Sequence, residues 1–106
     1  METKDFVAYV GNADFHDARV QTVCYEGEQA EVTLKSISGR ELKVSFTGVK
    51  RFAANQPVGM MIYALNEMRA DAPYRRFVFT NWDEEDPACL EVEARELSVN
   101  EKENAK

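Results

Sequence analysis

Histidine and cysteine are scarce in this sequence, which has one histidine and two cysteines among 106 residues. A tetrahedral zinc site built from these residue types alone needs four ligands, and His16, Cys24 and Cys89 supply only three. Each cysteine lies in a strand-like segment, and we expect both to be buried free thiols in a reducing compartment. Whether the two face each other on paired strands stays open at this point. The sequence therefore predicts no metal site and no cofactor.

Basic residues are also in deficit, because 13 Lys and Arg stand against 19 Asp and Glu, for a net charge of −6. Nucleic acids and anionic membranes are bound through basic surfaces, so both are poor partners for this chain. A basic protein would instead be attracted and steered toward it. The simpler alternative is that the negative charge only keeps the protein in solution.

Long apolar runs are missing as well. No stretch approaches the roughly 20 residues that cross a bilayer, and the first residues, METKDFVAYVGN, lack the basic end and apolar centre of a signal peptide. These absences favour a cytoplasmic location. The sequence also has no glycine-rich phosphate loop, no GxSxG motif and no HExxH motif. We therefore expect a protein that is not an enzyme.

Alternating apolar and polar residues predict β-structure over most of the chain. The segments 30–37 and 41–49, joined by the short connection 38–40, alternate cleanly and predict a hairpin. The inward side chains of this hairpin would be Ala30, Val32, Leu34, Leu42, Val44 and Phe46. Within its second strand, Gly48 predicts a bulge or a close approach of the backbone. Further strands are expected at 18–25, 74–82 and 88–99.

Two segments indicate helix. Residues 4–10 are short and amphipathic, and they end near the turn signal Gly11-Asn12. Residues 58–72 place apolar side chains at helical spacing, and Pro73 would end the helix; a strand beginning at Met60 is the alternative. The predicted fold class is α+β, a mainly antiparallel β-sheet of about five strands with a short N-terminal helix and a helix at 58–72. Residues 1–99 would form a single globular domain, and 100–106 a polar, disordered tail.

The dipeptide His16-Asp17, which precedes the first long strand, is a candidate for chemistry. Metal-dependent phosphohydrolases use an adjacent His-Asp pair but need further histidines, which this chain lacks. A catalytic triad would need a nucleophilic Ser or Cys beside the imidazole, and Cys24 lies in the middle of a strand. The structural alternative is that Phe15 anchors the strand in the core while His16 and Asp17 hydrogen-bond backbone groups at the turn. A contact with a partner is a further alternative.

A run of acidic residues follows the only tryptophan. The carboxylates of Asp83, Glu84, Glu85 and Asp86 invite a calcium interpretation, but the spaced pattern of a calcium-binding loop is absent. A solvated turn that also blocks edge-to-edge pairing is the structural alternative. The functional alternative is an acidic binding patch with Trp82 as its aromatic anchor.

Three short motifs carry a resemblance to a known group of proteins. The sequence has FHDARV at the entry to its first long strand, FTGV at the end of a hairpin strand and LEVEARELSV as its last strand. Over most of residues 14–99 it resembles small bacterial α+β domains, some of which are grouped with immunity proteins of polymorphic toxin systems. The resemblance implies a cytoplasmic domain that binds and blocks a toxin without doing chemistry. The matching residues look structural, and they are Phe15, His16, Asp17, Phe46, Gly48 and Val49.

These observations predict a non-enzymatic protein-interaction domain, with an immunity-type inhibitor as its specific form. The partner would be a protein, with a basic one favoured, or a second copy of the chain paired through a free strand edge. The alternative function is a small-molecule binding or sensing domain in which Met60, Met61, Tyr63 and Trp82 line an apolar pocket. An enzyme that uses His16 is the third alternative.

Overall fold

The protein is built from two antiparallel β-sheets. A computed structural model describes residues 6–11, 15–83 and 85–102, and in this part of the chain it has nine strands. In chain order they are β1 (Phe6–Tyr9), β2 (Arg19–Glu26), β3 (Gln29–Lys35), β4 (Glu41–Thr47), β5 (Arg51–Asn55), β6 (Ile62–Met68), β7 (Arg75–Asn81), β8 (Cys89–Ala94) and β9 (Glu96–Lys102). The five-stranded sheet has the order β1-β6-β7-β8-β5, and the four-stranded sheet has the order β2-β3-β4-β9.

The hairpin expected from the alternating segments is confirmed as β3 and β4. Val32 lies opposite Val44, and Leu34 lies opposite Leu42. Because successive side chains of a strand point to opposite faces, all apolar residues of the hairpin reach the same side of the sheet. The six side chains predicted to face inward are buried, namely Ala30, Val32, Leu34, Leu42, Val44 and Phe46.

The predicted α+β class is wrong, since residues 58–72 contain strand β6 and not a helix. A β-bulge between Ile62 and Ala64 shifts the register against β7. The extra residue of a bulge breaks the two-residue alternation, so the buried core positions become Ile62 and Leu65. Their spacing of three imitates a helical face. Met68 is also buried, but it lies opposite Phe6 of β1 and outside the main core cluster.

The expected N-terminal helix is also wrong. Residues Phe6–Tyr9 form β1, which pairs antiparallel with β6 at the outer edge of the five-stranded sheet. A segment this short has too few residues for its apolar spacing to distinguish a helical turn from a strand. The free edge of β6 supplies the hydrogen-bonding partner that decides the outcome, and this partner lies more than 50 residues further along the sequence.

Residues 88–99, expected to form one strand, are divided between the two sheets. The chain leaves the five-stranded sheet after Ala94 and enters the four-stranded sheet at Glu96, with Arg95 at the corner. The strands that pair with these two, β5 with β8 and β4 with β9, are likewise joined to each other across the sheets, through Gly48. The Arg95 amide donates to the carbonyls of both Thr47 and Gly48, at 3.1 and 3.2 Å. Gly48 therefore lies at a bulged corner where one ribbon passes from sheet to sheet.

A second corner joins the start of β2 to the residues before β6. The Val20 amide donates to the Met60 carbonyl at 2.9 Å, and the Ile62 amide donates to the Ala18 carbonyl at 2.8 Å. A β-bridge between Arg19 and Met61 lies between these two bonds. The four-stranded sheet is thus tied to the five-stranded sheet by backbone hydrogen bonds at this corner as well.

The core fills the space between the sheets. Phe46 of the four-stranded sheet meets Phe77 and Phe79 of the five-stranded sheet, with ring centroids 5.5 and 6.2 Å apart. Phe15, which precedes β2, is also buried. Truncating a buried phenylalanine to alanine costs roughly 3–5 kcal/mol, so contacts of this type contribute substantially to the attachment of one sheet to the other.

Both cysteines are exposed, which corrects the expectation that they are buried. Cys89 opens β8, where Leu90 and Val92 take the core-facing positions and leave Cys89 on the outer side. Cys24 of β2 lies opposite Glu31 of β3. It follows a bulge in β2 that changes which residues of this strand face inward. The two thiols lie on strands of different sheets, so they do not face each other across a strand pair.

The last strand, β9, continues to Lys102, three residues past the predicted domain boundary at 99. The remainder of the predicted tail, 103–106, lies outside the described residues, as do the first residues of the predicted N-terminal helix, 4–5. No helix long and apolar enough to span a membrane occurs in the described ranges.

Gly48 should be far more sensitive to substitution than Gly27, although both have a left-handed backbone, with φ of +64° and +62°. A Cβ at Gly48 would lie 2.9 Å from Cγ and 3.0 Å from Cβ of Arg95, whereas one at Gly27 meets nothing within 4 Å. We expect Gly27→Ala to cost about 1 kcal/mol from backbone strain alone. Gly48→Ala should cost at least about 1 kcal/mol more, because overpacking adds to that strain. Urea unfolding of both variants measures the difference, and equal losses would contradict this account of the corner.

Candidate binding site

Three ring side chains form an exposed cluster at the corner where β2 meets β6. The centroids of His16 and Trp82 are 5.7 Å apart with their planes 18° from parallel, so the two rings are stacked. The Tyr63 ring stands edge-on to both, 5.0 Å from His16 and 5.2 Å from Trp82. Nearly half of the Tyr63 and Trp82 surfaces remains exposed, 45% and 46%. We call these three residues the aromatic cluster.

The backbone around the cluster explains how distant parts of the sequence meet. Phe15 is buried and anchors the turn that carries His16. The Asp17 amide donates to the Ile62 carbonyl at 2.9 Å, which places this turn beside Tyr63 at the bulge of β6. Trp82 follows β7 directly, and its amide donates to the Met61 carbonyl at 3.0 Å.

A side-chain hydrogen bond fixes the indole within the cluster. Nε1 of Trp82 donates to Oδ1 of Asp17. The same carboxylate oxygen lies 3.6 Å from Nδ1 of His16. Asp17 also has a left-handed backbone, with φ of +68°, a conformation that Asp and Asn adopt more readily than most residues. Asp17 therefore shapes the turn and orients the tryptophan ring.

The structural interpretation of His16-Asp17 holds in part. Phe15 is buried as expected, and the Asp17 carboxylate accepts a hydrogen bond from the Trp82 side chain. Among the described residues, the His16 ring contacts Asp17, Tyr63 and Trp82, none of which is a Ser or Cys nucleophile. Within the described ranges, no three His, Cys, Asp or Glu side chains come together as a metal site.

The acidic turn beside Trp82 is organised by its own carboxylates. The Glu85 amide donates to Oδ1 of Asp83 at 3.0 Å, and the Ala88 amide donates to Oδ1 of Asp86 at 3.1 Å. Such local bonds are the usual way in which Asp stabilises turns. Asp83, Glu85 and Asp86 are all exposed, and Glu84 lies outside the described residues. The structure thus places three of the predicted acidic residues in an ordered loop that directly follows the aromatic cluster.

A cleft of about 550 Å³ opens beside Trp82. Of the four residues expected to line an apolar pocket, Met61 and Trp82 line this cleft, while Met60 is buried and Tyr63 lies in the aromatic cluster. The other residues of its wall are mostly polar, and they are Asp17, Arg19, Gln21, Lys35, Ser36 and Ile37. Arg19, Lys35 and Ile37 were not singled out from the sequence. Only strand register brings them together, and periodicity does not reveal register.

The adjacent basic residues Lys50-Arg51 and Arg75-Arg76 all form ion pairs with glutamates. Arg75 makes two hydrogen bonds to the Glu67 carboxylate, at 2.9 and 3.0 Å. This pairing raises the pKa of the Arg75 guanidinium above its usual value. Nε of Arg76 lies 2.6 Å from Oε2 of Glu91, and Nη1 of Arg51 lies 3.2 Å from the same oxygen. These cations are occupied on the outer face of the five-stranded sheet, away from the cleft.

Comparisons with protein-family models, with curated proteins and with solved structures find no match to this chain.

Asp17→Ala should release the indole, while Asp17→Asn should hold it, since asparagine keeps a carbonyl acceptor and tolerates the left-handed backbone. We expect a red-shifted emission for Asp17→Ala and a loss of about 1 kcal/mol in the free energy of unfolding. Because Trp82 is the only tryptophan, its fluorescence reports on this site alone. A red shift of equal size in the asparagine variant would show that the acceptor does not hold the ring.

Proposed function

We propose that the protein is a non-enzymatic interaction domain that binds a protein partner through the aromatic cluster and the acidic turn beside it. The observation that carries this proposal is the pre-ordered exposure of Trp82, which is stacked on His16, hydrogen-bonded to Asp17 and still 46% accessible. A large ring held in one orientation loses little conformational entropy on binding, and tryptophan is among the residue types enriched at energetic centres of interfaces.

The chemistry of the neighbouring turn supports a basic partner. Asp83, Glu85 and Asp86 present exposed carboxylates in an ordered loop next to the indole. Lysine or arginine side chains of a partner would be attracted to these carboxylates, and their charge also interacts favourably with the face of an aromatic ring. The net charge of −6 would speed the encounter with such a partner.

An immunity-type inhibitor is the specific form of this proposal. The sequence resemblance to immunity domains of polymorphic toxin systems supports it, and so does the exposure of Trp82 and of the acidic residues that follow it in the chain. Proteins that act on nucleic acids bind their substrate through basic residues, so an acidic inhibitor surface would be attracted to a toxin of that kind. The inhibitor would act by occupying the toxin, with no covalent step of its own.

Site-specific crosslinking in the source cell tests whether this surface meets a partner. A photoreactive phenylalanine analogue at position 82 should yield one discrete adduct whose mass identifies a protein. Tyr25 is the matched control position, because it is an exposed aromatic residue, 48% accessible, that stacks on Phe52 and lies outside the aromatic cluster. The same adducts at both positions, or none at position 82, would contradict the proposal.

Affinity measurements with the identified partner complete the test. Trp82→Ala should weaken binding by at least about thirtyfold, as expected for the loss of a central aromatic anchor. Tyr25→Ala should leave the affinity within about threefold of the wild type. For the immunity-type form, co-expression should restore growth of cells that produce the partner, and Trp82→Ala should abolish this rescue. A partner that is harmless to the cell would exclude an immunity role while leaving the interaction intact.

A further inference from the structure

We propose that the cleft beside Trp82 binds a small anionic molecule that carries a flat ring, such as a mononucleotide or an aromatic carboxylate. The proposal does not depend on a protein partner. It rests on a row of side chains that crosses four neighbouring strand segments and ends at the indole. The cleft occupies about 550 Å³, which lies within the usual range for small-molecule sites.

Strand register builds the row. Ile62 lies opposite Asn81 in the pairing of β6 with β7. One residue further along, the Trp82 amide donates to the Met61 carbonyl, so Trp82 lies beside Met61. Met61 forms a β-bridge with Arg19. Arg19 in turn lies directly opposite Lys35 of β3. Residues opposite each other in antiparallel strands project to the same face with Cβ atoms roughly 5 Å apart, so an indole, a thioether, a guanidinium and an ammonium group follow one another across the surface.

Arg19 and Lys35 place two positive charges opposite each other across a strand pair, with the Asp17 carboxylate in the same cleft and Glu41 opposite Lys35 on its other side. Like charges directly opposite each other across a strand pair destabilise a sheet. Neither side chain forms an ion pair within the described part of the chain, in contrast to Lys50, Arg51, Arg75 and Arg76, which all meet glutamates. An anion between the two cations would remove the repulsion. The cleft therefore has two cations and one carboxylate in its wall, an excess of positive charge in a protein that is acidic overall.

Arg19 is held in position for this role. Its Nη1 atom donates to the Gly59 carbonyl at 2.8 Å. A guanidinium has five N–H donors in a rigid plane, so this bond orients the group and leaves the remaining donors for a carboxylate or phosphate. Lys35 supplies a second, more flexible charge opposite it. Together they match an anionic group with two or three oxygens.

The rest of the cleft suits an apolar ring. Trp82 and Met61 line one part of the wall, and Ile37, at the tip of the turn after β3, lines another. Ile37 is 79% exposed, so its side chain is accessible to a ligand in the cleft. One face of the indole is stacked on His16, and His16 does not line the cleft. The opposite indole face is thus the one available for stacking with a ligand ring.

Asp17 lines the same cleft and limits the charge of the ligand. Its carboxylate accepts the Trp82 N–H and adds one negative charge beside the two cations. A ligand with many negative charges would be repelled by Asp17 and by the net charge of −6. The site therefore favours one anionic group attached to one ring system over a polyanion.

Titration with defined probes tests the proposal, with the indole N–H resonance of Trp82 as the reporter, because the chain has one tryptophan. We expect adenosine monophosphate or 4-hydroxybenzoate to shift this resonance and to bind with a sub-millimolar Kd by calorimetry. The two probes distinguish a nucleotide from an aromatic acid as the ring source. Adenosine, which lacks the anion, and inorganic phosphate, which lacks the ring, should each bind at least about tenfold more weakly. Adenosine binding equal to that of the monophosphate, or no shift with either anionic probe at several millimolar, would overturn the proposal.

Charge variants provide the matched control. Lys35→Gln and Arg19→Gln should each raise the Kd of the tighter-binding probe by about tenfold or more, because each substitution removes a charged hydrogen-bond donor. Lys43→Gln changes the net charge equally, but Lys43 lies opposite Thr33 and outside the cleft, so its Kd should match the wild type. Equal weakening in all three variants would mean that only the overall charge matters and would refute a specific site. Partner crosslinking at position 82 should be unchanged in Lys35→Gln, which separates this proposal from the protein-interaction function.

Discussion

The hydrogen bonds between residues 17–20 and 59–62 are the constraint on which both proposed sites depend. Four backbone bonds connect these segments, from Asp17 to Ile62, Ile62 to Ala18, Val20 to Met60 and Gly59 to Val20. They fasten the edge strand of one sheet to the residues that lead into the other. Since the His16 turn, the bulge of β6 and the end of β7 meet only at this corner, the aromatic cluster and the cleft exist only when the corner is closed.

The sequence predicts the elements of this fold better than their arrangement. Clean alternation of apolar and polar residues is sufficient for the hairpin of β3 and β4, because a regular strand has a period of two. Irregular strands are the ones that mislead. The bulge in β6 spaces its buried residues like those of a helix. At Arg95 the chain passes from β8 to β9, so one continuous strand-like segment of the sequence belongs to two sheets. Gly48 was the one local signal of that corner, because its left-handed backbone and crowding both require glycine.

The candidate site is only partly readable from the sequence for a related reason. Trp82 and its acidic neighbours stand out because tryptophan is rare and the charges are consecutive. Asp17 also stands out, but as the neighbour of His16, and its bond to an indole 65 residues away has no local signature. Arg19 and Lys35 are inconspicuous in two alternating strands, where each occupies an ordinary outward position. Only the pairing register places the two cations opposite each other and in line with the ring.

The net negative charge of the protein disfavours anionic ligands, whereas the cations of the cleft favour them. Which effect governs a given ligand depends on how far its charges lie from each group. Screening at physiological ionic strength limits the field of the acidic surface to about 8 Å. A small anion inside the cleft is closer than this to Arg19 and Lys35, so their attraction governs its binding. A large polyanion such as a nucleic acid spans many screening lengths and meets the acidic surface as well. Under the two proposals, the same molecule would disfavour nucleic acids, attract a basic protein to the turn after Trp82 and hold a compact anion in the cleft.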